Sequence, residues 1–157
     1  MEGRPRVFWD SSAIISAILS RSADAPARRL LRLGESGLLD HCVSSEVLAD
    51  VEYVVSKRDP EASADLALIL DRAGFRVVPE GRPEIVARYV DLTGYRPDAR
   101  VLAAASACGA EMLVTFDATH LLGNPLTAPS SVGLWAVQPA EALDRCNARL
   151  RESARDG

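Results

Sequence analysis

Four acidic residues lie where the sequence changes from a strand pattern to a helix pattern: Asp10, Glu46, Asp98 and Asp117. In an open parallel α/β sheet, ligands bind outside the carboxyl ends of the strands, so carboxylates from distant parts of the chain can meet there. Converging carboxylates raise one another's pKa unless a cation neutralises them, and Mg²⁺ and Mn²⁺ prefer such oxygen ligands. The pattern therefore predicts an acidic metal site at one edge of a sheet.

Each acid also has a purely structural interpretation. Asp10, Asp98 and Asp117 stand at positions where helix N-caps are preferred. Glu46 falls in the first turn of a predicted helix, where it would complement the helix dipole. One acid at such a position can be a coincidence, but four coincidences together are less probable. Capping a helix also does not exclude binding a metal. The joint pattern therefore favours an acidic cluster.

The elements that must position these acids follow an alternating pattern. Strands are predicted at residues 7–9, 38–43, 75–78, 112–115 and 134–137. Helices are predicted from Ser11 or Ser12 to Leu19, from Asp24 as N-cap to Gly34 or Gly37, from Ser44 or Ser45 to Lys57, from Asp59 to Gly74, from Pro83 to Leu92, from Asp98 to Cys108, and from Pro139 to about Arg151. Such alternation favours an α/β fold of three layers, with helices on both faces of a mainly parallel five-stranded sheet.

Length and composition indicate one globular domain. The chain has 157 residues, of which 48% are hydrophobic, and this is enough to bury a substantial core. We expect a single domain over residues 1–157, with its core at about 7–151 and a frayed tail at 152–157. No apolar run approaches the length of a membrane span and no signal-peptide core is evident, so a cytoplasmic location is the default expectation.

Charge and cysteine content exclude other classes of protein. A net charge of −4 argues against a protein that coats nucleic acid, although a metal-loaded site with local arginines can still hold a phosphodiester. Cys42, Cys108 and Cys146 are odd in number and widely separated. They therefore form neither a disulfide framework nor a zinc-binding pattern.

The segments around the four acids resemble a known family. Val-Phe-Trp-Asp10-Ser-Ser, Ser-Ser-Glu46-Val-Leu, Arg-Pro-Asp98-Ala-Arg and Leu-Val-Thr-Phe-Asp117-Ala-Thr-His are similar, in order and spacing, to the acidic motifs of PIN-domain ribonucleases. The resemblance extends from about Val7 to Leu143. It implies a PIN-like domain and a Mg²⁺- or Mn²⁺-dependent endoribonuclease, most often the toxin of a VapC-type toxin-antitoxin pair. The segments 59–94 and 123–133 are not fixed by the motifs, and such regions shape substrate choice.

Carried over position by position, the resemblance implies roles for individual residues. Asp10, Asp98 and Asp117 would be metal ligands, directly or through water, and Glu46 would complete the acidic set. The implied partners are an RNA substrate and a cognate antitoxin, and the family favours a homodimer. The apolar residues Ile14, Ile15, Ile18 and Leu19 would serve either the core or that interface.

Neighbouring polar residues have less specific interpretations. Ser12 and Thr115 would hydrogen-bond a carboxylate or a phosphate oxygen, or else serve only a cap and a turn. Arg100 would reach a phosphate or pair with a site carboxylate.

Other polar residues receive a structural interpretation. His120 is interpreted as a solvated loop residue, with contact to the site as the alternative. His41 is interpreted as a half-buried, hydrogen-bonded ring, and Asp50 as a solvated acid.

Two further classes of function compete with the nuclease. The first is a non-catalytic domain that binds RNA or protein, which would be favoured if one of the four acids pointed away from the others. The second is a phosphatase or phosphotransferase with Asp10 as nucleophile. That chemistry usually requires a second acid two residues later, where this chain has Ser12. The absence of a G-x-x-x-x-G-K loop removes the common nucleotide hydrolases.

Overall fold

A computed structural model describes residues 4–122 and 134–157, and these form a three-layer α/β structure around a five-stranded sheet. The strands are β1 (Arg6–Trp9), β2 (Asp40–Ser44), β3 (Arg76–Val78), β4 (Met112–Val114) and β5 (Trp135–Val137). Their order is β3-β2-β1-β4-β5, and every neighbouring pair is parallel. The predicted fold class is confirmed.

Seven helices lie in the part of the chain that the structure describes. They are α1 (Ser11–Leu19), α2 (Pro26–Glu35), α3 (Ser45–Arg58), α4 (Pro60–Arg72), α5 (Pro83–Thr93), α6 (Arg96–Ala107) and α7 (Pro139–Asp156). Helices α5 and α6 pack against each other, whereas contacts among α1, α2, α3, α4 and α7 link those helices into a second group. None of the described helices combines the length and apolar character that crossing a bilayer requires.

The sheet register brings the carboxyl ends of the central strands together. Strand β1 lies between β2 and β4, with Trp9 paired to Val114 at the ends of β1 and β4. The amide of Asp10 continues this ladder by donating to Val114 O at 2.9 Å. The residues that follow β1 and β4 therefore emerge side by side.

The central strands are buried because helices cover both faces of the sheet. Val7, Phe8 and Trp9 are fully buried, as are Leu113 and Val114 in β4. Such continuous apolar runs are typical of parallel sheets, in which neither strand face reaches water. The edge at which the acids lie is therefore built on central strands whose apolar side chains are buried.

His41 lies in this core. The structure shows it fully buried, so the prediction of a half-buried ring is wrong in degree, although its hydrogen bonding was anticipated. Trp9 Nε1 donates to His41 Nδ1 at 2.8 Å, and the other ring nitrogen lies 3.3 Å from Leu31 O. With Nδ1 accepting, the ring is neutral and Nε2 is the donor to Leu31 O. Burial lowers the pKa of His41 to about 4.

Some predicted boundaries are wrong. Asp24 is not the N-cap of α2, because that position is taken by Ala25 and no side chain caps the helix. Residues 152–156, predicted to fray, continue α7 to Asp156. The predicted irregular segment 123–133 lies outside the described residues. Of the apolar set on α1, Ile14 and Ile18 belong to the core, while Ile15 and Leu19 are partly buried against it.

Candidate active site

A cleft of about 340 Å³ opens at the carboxyl ends of the strands. Its lining includes the four predicted acids, Asp10, Glu46, Asp98 and Asp117, and also Asp50. These residues come from four separate segments of the chain, which the parallel sheet brings to one edge. The four predicted acids therefore line one cleft.

Asp10 is held in place by its own helix and by the loop after β4. It is the N-cap of α1, where Oδ1 accepts from the amide of Ser11 at 2.9 Å. Oδ2 accepts from the hydroxyl of Thr115 at 2.7 Å, and Ser12 Oγ lies 3.4 Å away. Burial raises the pKa of Asp10 despite these hydrogen bonds, and nearby Asp117 adds to the rise. The cap interpretation of Asp10 is thus correct, and the same carboxylate lines the cleft.

Asp98 is the most buried of the four acids. Helix α6 begins at Arg96, two residues before the predicted start, so Asp98 lies in the first turn and is not the N-cap. The residue is only 7% exposed. Its Oδ2 accepts no well-formed hydrogen bond from the described residues, although His120 Nδ1 lies 3.0 Å away. Burial, followed by the charge of Asp117, raises the pKa of Asp98 to about 7.

Asp117 is oriented by backbone amides of the turn that follows it. Its Oδ1 accepts from the amides of Thr119 at 3.0 Å and His120 at 3.1 Å. Burial alone would raise its pKa, but these amides and the contact with Asp98 outweigh it and lower the pKa of Asp117. Their shared surroundings therefore shift the pKa values of Asp98 and Asp117 in opposite directions.

His120 belongs to the cluster, a contact that the sequence interpretation held only as the alternative to a solvated loop residue. Its Nδ1 lies 3.0 Å from Asp98 Oδ2 and 3.5 Å from Asp117 Oδ2. The ring also stacks on Tyr95, with centroids 4.6 Å apart and planes 13° from parallel. The interpretation as a solvated loop residue is therefore wrong. Its place three residues after Asp117, at the end of a single tight turn, was the available signal.

Glu46 lines the same cleft but has a different partner. Arg100 Nη1 donates to Glu46 Oε1 at 2.9 Å. Of the two roles predicted for Arg100, pairing with a site carboxylate is the one observed. Glu80, which the sequence interpretation did not single out, accepts from the Glu46 amide and the Ser45 hydroxyl at 3.2 Å each. It thus adds a carboxylate at the N-terminus of α3, where helix dipole and free amides favour negative charge.

Thr115 and Ser12 connect the two central loops. Besides donating to Asp10, Thr115 Oγ1 accepts from the amide of Asp117 at 3.0 Å. Ser12 Oγ accepts from the amide of Phe116 at 3.0 Å. The predicted hydrogen bond from Thr115 to a carboxylate is present. These hydroxyls fix Asp10 and Asp117 relative to each other.

The donor set suits a hard divalent cation. One atom each from Asp98, Asp117 and His120 lies within 4.8 Å of the others. Buried Asp98 Oδ2 lacks a well-formed hydrogen bond among the described groups, and a buried polar atom left in this state costs free energy. An ion between the carboxylates would satisfy that oxygen and offset their mutual repulsion.

The protein is therefore an α/β domain with a cleft lined by carboxylates. The cleft lies at the carboxyl edge of a parallel sheet that helices cover on both faces. The family profile described as PIN domain matches residues 6–119. This chain belongs to the PIN domain family, as its motifs predicted. Among curated proteins, none gives a significant match.

Solved structures share the fold at low sequence identity. PAE2754 from Pyrobaculum aerophilum superposes with a TM-score of 0.63 at 16% identity, covering 92% of this chain and 97% of its own. A toxin-antitoxin complex from Klebsiella pneumoniae gives 0.62 at 18% identity, covering 85% and 97%. Mycobacterium tuberculosis VapC20, a toxin that cleaves the sarcin-ricin loop, gives 0.53 at 18% identity, covering 71% and 89%.

Proposed function

We propose that this protein is a Mg²⁺- or Mn²⁺-dependent endoribonuclease. The observation that carries the proposal is the meeting of Asp10, Asp98 and Asp117 in one cleft, with Asp98 Oδ2 buried and lacking a well-formed hydrogen bond among the described groups. Building such a cluster costs electrostatic free energy that a structural role does not explain. Membership of the PIN domain family supports the same chemistry.

In this proposal each acid keeps the contact that orients it. Asp10, Asp98 and Asp117 would hold the ion, and Glu46 would complete the acidic set. A bound divalent ion supplies a nucleophilic water near neutral pH and offsets charge on the phosphate. Thr115 keeps the Asp10 carboxylate turned into the cleft, and the turn amides do the same for Asp117. No nucleophile from the chain itself is needed.

We further infer that the biological role is that of a toxin held by an antitoxin. The supporting observation is that relatives with this fold include a toxin-antitoxin complex and the toxin VapC20. The partners would be an RNA substrate, a cognate antitoxin protein and a second copy of the chain. An adjacent gene for a small antitoxin, and relief of growth arrest by its co-expression, would test this role.

Nuclease activity is tested with labelled RNA and a matched pair of variants. Cleavage is expected with MgCl₂ or MnCl₂ and none in excess EDTA. Asp98→Asn should lose at least about a hundredfold in rate, as removal of a charged group from a metal site does. Asp65→Asn, an exposed acid on α4, should cleave like the wild type. Persistent cleavage in EDTA, or an active Asp98→Asn, would overturn the proposal.

A second candidate function is a PIN-fold domain that binds RNA or protein without cutting. The observation that favours it is the pairing of Glu46 with Arg100, which gives this acid a cation of the chain itself as its partner. It predicts RNA binding that is unaffected by EDTA and no cleavage with either metal. The same experiment therefore separates the two candidates.

A further inference from the structure

Two aromatic side chains form exposed walls of the acidic cleft. Phe116 is 42% exposed and immediately precedes Asp117, and Tyr95 is 45% exposed and immediately precedes the helix that carries Asp98. Both rings line the same cleft as the acids. Exposing this much aromatic surface beside a polar site costs hydrophobic free energy that burial elsewhere would recover.

Local contacts hold both residues in position. The amide of Phe116 donates to Ser12 Oγ at 3.0 Å, which ties its loop to α1. Tyr95 is stacked on His120, and its amide donates to Thr93 Oγ1 at 3.3 Å. The backbone that carries both rings is therefore tied to neighbouring side chains, which lowers the conformational entropy lost when a ligand stacks on them.

The other exposed aromatic rings in the described part of the chain face cations of the protein. The Lys57 Nζ lies 5.0 Å from the centroid of Tyr53. The Arg145 guanidinium lies 3.2 Å from the centroid of Trp135. These contacts account for the exposure of Tyr53 and Trp135. Phe116 and Tyr95 differ because they face the cleft.

The charges in the cleft indicate that a nucleic-acid ligand needs contacts in addition to those made by its phosphates. Among the residues that line it, Arg100 is the cation, and it is paired with Glu46. The lining also contains five acids: Asp10, Glu46, Asp50, Asp98 and Asp117. An ion offsets part of this negative charge, but a nucleic-acid backbone still gains little electrostatic attraction here. Affinity for a polynucleotide must therefore come in part from its bases.

We propose that Phe116 and Tyr95 stack on unpaired nucleobases next to the phosphodiester at the acidic site, and so select an unpaired segment of RNA. This inference rests on the proposed nuclease function and deepens it. Stacking on an aromatic ring requires a base that has left its helical stack, and single-stranded RNA is recognised in this way. The aromatic pair would thus set substrate choice, while the acids carry the chemistry.

The test measures binding of a fluorescein-labelled oligoadenylate by anisotropy in Mg²⁺, with Asp98→Asn as the non-cleaving background. Adding Phe116→Ala should raise Kd about tenfold, which corresponds to about 1.4 kcal/mol and lies within the range for one stacked base. Phe116→Tyr, which keeps the ring, should bind like the background. Tyr53→Ala provides the matched control, and it should leave Kd unchanged.

Two changes in the ligand separate stacking from a general loss of affinity. An oligomer with abasic nucleotides should bind weakly, and Phe116→Ala should then have no further effect. Annealing the oligoadenylate to its complement should weaken binding by a similar factor. Tyr95→Ala should also weaken binding of the single strand, with Tyr95→Phe retaining it.

The outcomes distinguish this inference from the proposed function. If wild type cleaves RNA but Phe116→Ala and Tyr95→Ala match Tyr53→Ala in Kd and KM, the aromatic inference is overturned and the nuclease stands. If wild type binds the duplex as tightly as the single strand, the selection of unpaired RNA is overturned. If wild type neither binds nor cleaves RNA, both proposals fall.

Discussion

His120 lies against the buried carboxylate of Asp98, with Nδ1 3.0 Å from Oδ2. The same ring is stacked beneath exposed Tyr95, so one side chain links the acidic cluster to the aromatic wall of the cleft. Because Asp117 Oδ2 also lies 3.5 Å from this nitrogen, the imidazole faces both carboxylates. His120 thus belongs with the acids in any account of the site.

Metal should stabilise the wild type more than Asp98→Asn. In EDTA the variant should melt at or above the wild-type temperature, because removing one of several converging charges relieves repulsion. An ion that binds only the folded state at about ten times its Kd adds roughly 1.4 kcal/mol. The variant should miss most of that gain. Thermal melts of both proteins with EDTA, MgCl₂ and MnCl₂ measure this, and equal metal-induced shifts would show that Asp98 lies outside a metal site.

Thr115→Val should lower both stability and activity, since valine keeps the shape but loses the hydroxyl. That hydroxyl donates to Asp10 and accepts from the amide of Asp117. Leaving these partly buried partners unsatisfied should cost about 1–3 kcal/mol. Urea denaturation gives the stability, and RNA cleavage gives the activity. Thr115→Ser should recover most of both, and a Thr115→Val protein as stable and active as wild type would contradict the role.

The free energy of unfolding should fall as the pH drops below about 6.5, because His41 is buried as a neutral ring. Burial lowers its pKa from 6.5 to about 4 in the folded state, so the unfolded chain binds the proton first. The contribution is fully present above pH 6.5 and is lost as pH falls towards 4, by up to about 3 kcal/mol. Urea denaturation between pH 4 and 7 gives the free energy of unfolding at each pH. Its slope against pH should be shallower for His41→Gln than for wild type. Equal slopes in the two proteins would refute the assignment.

Gly34→Ala should destabilise the fold, although alanine is normally the better helix former by about 1 kcal/mol. A Cβ at Gly34 would overlap the His41 ring and the carbonyl of Ala73. Overpacking of this kind typically costs about 1–3 kcal/mol. Gly157→Ala serves as a control, because its nearest neighbour would be at an ordinary 3.7 Å. Unfolding free energies of the two variants decide the matter, and a neutral Gly34→Ala would contradict the close packing.

Much of the fold could be read from local patterns. Apolar strands such as residues 7–9 and 112–114, separated by helices with Pro near their starts, already predict a covered parallel sheet. The convergence of Asp10 and Asp117 also follows, because Asp10 directly follows β1 and Asp117 comes three residues after the end of β4. Helix boundaries are harder to predict where no side chain caps the helix. The start of α2 is an example, because it has no side-chain cap.

The sequence by itself thus determined which acids lie at the ends of strands or the starts of helices, because the patterns of those strands and helices are visible in the sequence. Their partners were decided only by tertiary packing. Glu46 and Arg100 are 54 positions apart and pair because α3 and α6 approach across the edge of the sheet. His120 reaches Asp98 because a tight turn after β4 folds back over the start of α6. Such contacts depend on the distance between elements, and local propensity carries no information about that distance.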